Sequence, residues 1–160
     1  MAVYRGRSIS SLDETGKQMN RRLAVVAILL DIAGCASIPP AARTSCFHRN
    51  EAVETDIGFC QSVRSGNTLY ISGIAGQGDM AAAIRSVYDR LKLTLEANKL
   101  SFANVVKENV YATDLDAFIQ NKGIRKEFYG PTLPAATWVQ VQRLYLPSLV
   151  LEVELTAKYP

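Results

Sequence analysis

At 160 residues, 48% of them apolar, with a formal charge of +3, the chain is long enough for one domain with a sizeable core, or one domain plus a tail. The basic excess is too small and the charges too interspersed to argue for a nucleic-acid partner, and no basic run carries the interleaved aromatics of single-strand binding. The three cysteines, Cys35, Cys46 and Cys60, match no zinc or redox spacing, and the lone histidine, His48, argues against a His-based metal site or a Ser-His-Asp triad. His48 reads as a surface residue near a strand start, and Cys46 and Cys60 as small structural residues.

Residues 1–18 are polar and without period. Asn20-Arg21-Arg22 then precedes the apolar run LAVVAILL at 23–30 and the sequence Ile32-Ala33-Gly34-Cys35. Basic segment, short apolar segment and small-residue site in this order resemble a secretory signal. IAGC resembles a bacterial lipobox, with Cys35 lipidated and residues 37–42, which contain Pro39-Pro40, as a short tether. That reading places the protein at the bacterial envelope, as a lipoprotein or in the periplasm, touching a membrane only through Cys35. It also permits Cys46 and Cys60 to pair, although spacing alone does not bring them together. The competing reading makes 23–34 a buried helix or strand and the protein cytoplasmic; Asp31 and the residues ahead of Met19 favour it. The run is too short to span a bilayer as a permanent helix. The expected division is therefore an extension over 1–43 and a folded domain over 44–160.

Within the domain, residues 58–64 read as a strand, Ser65-Gly66-Asn67 as a turn and 68–72 as a second strand, together a hairpin. A small-residue loop spans 73–78. It has glycines but no Lys-Ser/Thr ending, so a tight strand-to-helix connection is preferred to a phosphate cradle. Asp79 caps a helix reaching about residue 99, in which Ile84, Val87, Tyr88, Leu91 and Leu95 fall on one stripe. Residues 102–113, with Val105, Val106, Val110 and Tyr111, form a third strand. Asp114 or Asp116 caps a second helix to about residue 129, with Phe118, Ile124 and Phe128 inward, and Gly130-Pro131 ends it.

Residues 134–158 carry the strongest β signal and read as a hairpin turning at Leu146-Pro147-Ser148. Leu149, Leu151, Val153 and Leu155 alternate with Glu152, Glu154 and Thr156; Thr137, Val139 and Val141 alternate with Trp138, Gln140 and Gln142. The polar row is expected to hold both carboxylates beside Trp138. The element order β-β-α-β-α-β-β gives an α+β fold in which two helices cover one face of a five-stranded sheet. The other face is left to solvent or to an oligomer, and Trp138 favours the oligomer.

The pieces also resemble, in order, the motifs of one family. Gly58-Phe59-Cys60-Gln61-Ser62-Val63 is similar to an opening G-P-Y-S-Q-A-V with one residue missing. Leu69-Tyr70-Ile71-Ser72-Gly73 resembles a strand ending in S-G. Val105-Val106-Lys107 and Tyr111-Ala112-Thr113-Asp114-Leu115 resemble V-V-K-T-T-V-F-L-T-D-L. Pro134-Ala135 with Val139-Gln140-Val141 resembles P-A-R-S-T-V-Q-V, and Leu151-Glu152-Val153-Glu154 resembles V-E-I-E. Over about a hundred residues the chain thus resembles the RidA/YjgF family of reactive-intermediate deaminases, also labelled L-PSP endoribonuclease-like.

The resemblance implies a chorismate-mutase-like fold, a homotrimer with ligand clefts between subunits, and hydrolysis of enamines and imines to 2-oxo acids and ammonia without metal or cofactor. It assigns catalysis to Glu152 and the ligand cleft to Phe59, Ser72, Gly73, Lys122, Ala136, Thr137 and Trp138. The chemistry needs a guanidinium to clamp the substrate carboxylate and a carboxylate to deprotonate water. Here Ala136 stands where the family motif has arginine, Phe59 where it has tyrosine, and Trp138 where it has a small residue. A lost desolvated bidentate pair removes roughly a hundredfold to several thousandfold in turnover. Lys122 lies roughly where the family places a cleft asparagine and is the candidate substitute cation; Arg143 and Arg125 do not match the motif position. The expectation is a trimer that binds a small molecule in its intersubunit clefts without efficient 2-imino acid deaminase activity. The alternative is an enamine or imine hydrolase of shifted specificity using Glu152. The ribonuclease label finds no histidine pair, basic groove or stacking platform in this sequence.

Overall fold

A computed structural model of the chain describes residues 44–160; the signal, lipidation and buried-element readings of 19–43 lie outside them. The order is β1 (Ser45–Phe47), α1 (Glu51–Ile57), β2 (Ser62–Ser65), β3 (Thr68–Gln77), α2 (Met80–Ala97), β4 (Val105–Ala112), α3 (Leu115–Tyr129), β5 (Ala135–Gln140) and β6 (Leu149–Lys158). The strands form one mixed sheet in the order β1-β2-β3-β6-β4-β5. Only β4 and β5 run parallel.

The core lies between one face of this sheet and the helices. Leu151, Val153, Leu155 and Ala157 of β6, Leu69, Ile71 and Ile74 of β3, and Val110 and Ala112 of β4 meet Ile84, Val87, Tyr88, Leu91 and Leu95 of α2 and Phe118 of α3. The helical stripe read from the sequence is thus the stripe that is buried. Asp79 accepts a hydrogen bond from the Ala82 amide at 2.9 Å, and Asp114, rather than Asp116, does the same for Ala117 at 2.9 Å.

Four features differ from the sequence reading. Residues 44–57 hold a strand and a short helix that the apolar pattern did not signal, so the described residues form six strands and three α-helices. Residues 73–77 continue β3 instead of forming a loop. Ile71 and Ile74, three apart, are both buried because a register shift between them turns the strand over. Gly76 belongs to that strand because a Cβ there would lie 2.8 Å from Cγ2 of Val87, so α2 packs directly on its backbone. The stretch 102–113 begins with a 3-10 turn at Phe102–Asn104 before β4 starts.

The last difference bears most on the site. β5 and β6 are not a hairpin: β4 lies between them, and β5 joins β4 in parallel across α3. Register then separates the rows. Trp138 pairs with Val110 and faces the helices, whereas Glu152 pairs with Tyr111 and Ala75 on the opposite, open face. Trp138 does not stand beside the carboxylates of its own chain.

Candidate functional site

On the open face, Phe59, Ser72, Gly73 and Glu152 line one cavity of about 340 Å³, with Ile57, Ala75, Tyr145 and Leu149 completing its wall. Four of the expected site residues therefore converge. The bulge in β3 is what seats the carboxylate. A Cβ on Gly73 would lie 2.0 Å from Oε1 of Glu152, so the glycine leaves the space that the carboxylate fills. Ser72 donates its hydroxyl to the Cys60 carbonyl at 2.7 Å and its amide to the Gln61 carbonyl at 2.9 Å, while Gln61 Nε2 donates to the Ser72 carbonyl at 3.2 Å. These bonds hold the segment carrying Phe59 against the bulge.

Glu152 is half-buried. Burial pushes its pKa above the ordinary carboxylate value, and the neighbouring Glu154 adds to the effect. Glu154 Oε1 accepts from Asn109 Nδ2 at 2.7 Å and from the Tyr111 hydroxyl at 3.3 Å. Burial, then Glu154 and Glu152, push the Tyr111 phenol up. A second opening of about 380 Å³ shares Glu152 and Tyr145 with the first and adds Tyr111, Val141, Arg143, Leu144 and Glu154. Arg143 is thus a cation on the rim of the Glu152 site. A carboxylate with raised proton affinity, an apolar wall and an adjacent guanidinium can hold a small polar molecule and take a proton from water.

The other expected residues lie across the sheet at its β5 edge. Ala136 pairs with Glu108 and shares its face; Thr137 pairs with Asn109 on the open face, and its hydroxyl bonds Lys107 Nζ at 2.5 Å. Lys122 is exposed on α3, one turn beyond Phe118, whose ring meets that of Trp138 edge-on at 5.1 Å. Within one chain these residues do not line the Glu152 cavity: β4 lies between β5 and β6.

Sequence reading missed a second cluster. Glu108 is fully buried, and both its oxygens are saturated. Oε1 accepts from the hydroxyls of Tyr88 at 2.6 Å and Tyr129 at 2.8 Å; Oε2 accepts from Arg125 Nε at 2.6 Å and Trp138 Nε1 at 3.3 Å. Burial and the adjacent Glu108 carboxylate push both tyrosine hydroxyls up. Its signal was parity: Glu108 shares the inward row of Val110 and Ala112. Nothing in the cluster opens on the Glu152 cavity.

Comparison with known proteins agrees with this architecture. Residues 49–159 match the family described as Endoribonuclease L-PSP. A RutC family protein of Pyrococcus horikoshii is 30% identical over 108 residues, 62% of this chain and 85% of its own length. A protein of Dermatophagoides farinae named 2-iminobutanoate/2-iminopropanoate deaminase is 27% identical over 95 residues, 54% of this chain and 74% of its own. The crystal structure of a YjgF/YER057c/UK114 family member from Mycobacterium tuberculosis superposes with a TM-score of 0.68 at 25% identity, covering 73% of this chain and all of the other. With sequence, sheet order and structural neighbours in agreement, the chain belongs to the Endoribonuclease L-PSP family, the RidA/YjgF family that its motifs resemble.

Proposed function

We propose that the protein is a homotrimer that binds a small molecule in clefts between subunits and lacks efficient 2-imino acid deaminase activity. The observation that carries this is the division of the expected site into two halves on one chain. Phe59, Ser72, Gly73 and Glu152 line one cavity, while Ala136 and Lys122 sit at the far edge of the sheet. A cleft using both halves requires two copies. In such a cleft the edge half brings Ala136 where a deaminase needs a guanidinium, so a small anionic imine loses its clamp. The cavity wall that remains, with Ile57, Phe59, Tyr145 and Leu149 around one carboxylate, suits a flatter and less acidic ligand.

The test is a competition assay on the full chain. An amino-acid oxidase generates 2-imino acids, and semicarbazide traps whatever imine survives. The wild type is expected to leave the trapping rate unchanged, and Ala136→Arg to lower it. A wild type that already competes with semicarbazide overturns the reading.

One observation favours a second reading, an imine or enamine hydrolase of shifted specificity. Glu152 combines partial burial with a pKa pushed up, as a general base near neutral pH requires. It would take a proton from water as the oxygen bonds to the imine carbon and return it to nitrogen, giving a carbinolamine; passing the hydroxyl proton to nitrogen then breaks the C–N bond, releasing ammonia and leaving a carbonyl. Arg143 borders the same opening, so it, rather than Lys122, is the cation within reach of a substrate acid group in one chain. An activity that survives Ala136→Arg unchanged but disappears in Arg143→Ala would select this reading.

A further inference from the structure

Among the described residues, one cluster outside the Glu152 cavity carries metal-ligand chemistry. Cys46 in β1 and Cys60 ahead of β2 are joined by a disulfide, with Cα atoms 5.6 Å apart. Pairing of β1 with β2, which sets Cys46 opposite Val63, brings the two cysteines together. His48 belongs to the same cluster, and its ring nitrogen lies within 4.8 Å of both sulfurs.

The imidazole is held from behind. Nδ1 lies 2.8 Å from Oε2 of Glu54, a buried carboxylate whose Oε1 accepts from the amides of Arg49 at 3.1 Å and Asn50 at 3.0 Å. With Nδ1 donating to that carboxylate, the neutral imidazole keeps its lone pair on Nε2. Nε2 faces Cys46 Sγ, 2.9 Å away. A disulfide sulfur has no hydrogen to give it. The arrangement is that of a metal-binding imidazole with its carboxylate partner in place, facing two sulfurs.

We infer that, once the Cys46–Cys60 disulfide is reduced, Cys46, Cys60 and His48 bind one zinc-type divalent ion, with the fourth position open to water. The chemistry balances in two steps. A dithiol reductant gives two electrons and two protons to the disulfide, yielding two thiols and its own disulfide. The ion then displaces one proton from each thiol and accepts two thiolates and the Nε2 lone pair. Two thiolates and one imidazole suit zinc, whose sites with three protein ligands keep a solvent position. Tetrahedral binding needs the sulfurs about 3.8 Å apart, from metal–sulfur bonds of about 2.3 Å. Cys46 is exposed, and His48 and Cys60 half-buried, so both the reductant and the ion have access.

Cobalt(II) is the probe, because thiolate ligation gives it a charge-transfer band and tetrahedral geometry gives it intense visible bands. The full chain carries Cys35→Ser, so that only these two thiols report. It is reduced with a dithiol, desalted without oxygen and titrated. The expected result is one cobalt per chain with both signatures, displaced by zinc. The oxidised chain and Cys60→Ser should show no charge-transfer band from a two-thiolate site, and His48→Ala should bind at least tenfold more weakly. A reduced chain that binds no stoichiometric cobalt, folded or not, overturns the inference. Undiminished binding in His48→Ala, or an unchanged spectrum in Cys60→Ser, overturns it equally.

Discussion

Glu152 is where residue-level physics and proposed function meet. Its carboxyl titrates above the ordinary value in the folded chain, because burial and then Glu154 disfavour the charge. A raised folded-state pKa means that the native state holds the proton more tightly than the unfolded chain. The favourable contribution is present below the unfolded value and is lost as pH rises through the folded one. At neutral pH the charged Glu152 therefore costs stability. Glu152→Gln is expected to raise the thermal midpoint at pH 7, with the gain shrinking as the pH falls to 4. Any hydrolytic activity should vanish in the same variant. A lower midpoint at neutral pH would show that the carboxylate is held by compensating contacts and is not poised as a base. Glu152 and its partner Gly73 were legible as candidates only through the resemblance to family motifs. Spacing alone cannot distinguish a solvated strand carboxylate from one lodged in a bulge, since the bulge arises from the pairing of β3 with β6.

At the level of elements, the amphipathic helix α2 and the alternation of β6 were legible because each has a single period and one buried face. The false hairpin was not, because alternation fixes which residues share a face and says nothing about which strand lies next door. That error moved Trp138 to the wrong side of the sheet. Trp138 belongs instead to the buried junction in which Glu108 of β4 ties together α2 through Tyr88, α3 through Arg125 and Tyr129, and β5 through Trp138. Arg125 also stacks over the rings of Tyr129 at 4.7 Å and Trp138 at 5.2 Å. Removing the charge at Glu108 leaves a buried guanidinium without its counter-ion, a loss of about 3–5 kcal/mol. Glu108→Gln is therefore expected to lower the urea midpoint sharply at equal protein concentration. A change below about 1 kcal/mol would mean that water or a shifted Arg125 replaces the lost contact.

At the scale of the whole molecule, α2 and α3 cover one face of the sheet and leave the other to be explained. That open face presents Tyr70, 52% exposed, and Val139, 38% exposed, together with Thr137, Glu152 and Glu154. Aromatic and branched apolar side chains around a few bonded polar groups are what a subunit interface offers. A cleft that used both the Glu152 cavity and the β5 edge, as proposed, would need the same thing for a different reason, since a second chain would have to supply the other half. The two arguments make one prediction. Light scattering on the full chain should give a mass near three times 17.5 kDa. Val139→Asp, which sets a charge on the open face without touching the Glu152 cavity, should shift the mass toward one chain while leaving the far-ultraviolet circular dichroism unchanged. A wild type that stays monomeric at assay concentrations would remove the intersubunit cleft, and with it the relevance of Ala136. The cavity of Glu152, Tyr145 and Arg143 would then have to act within a single chain, which makes Arg143→Ala the decisive variant.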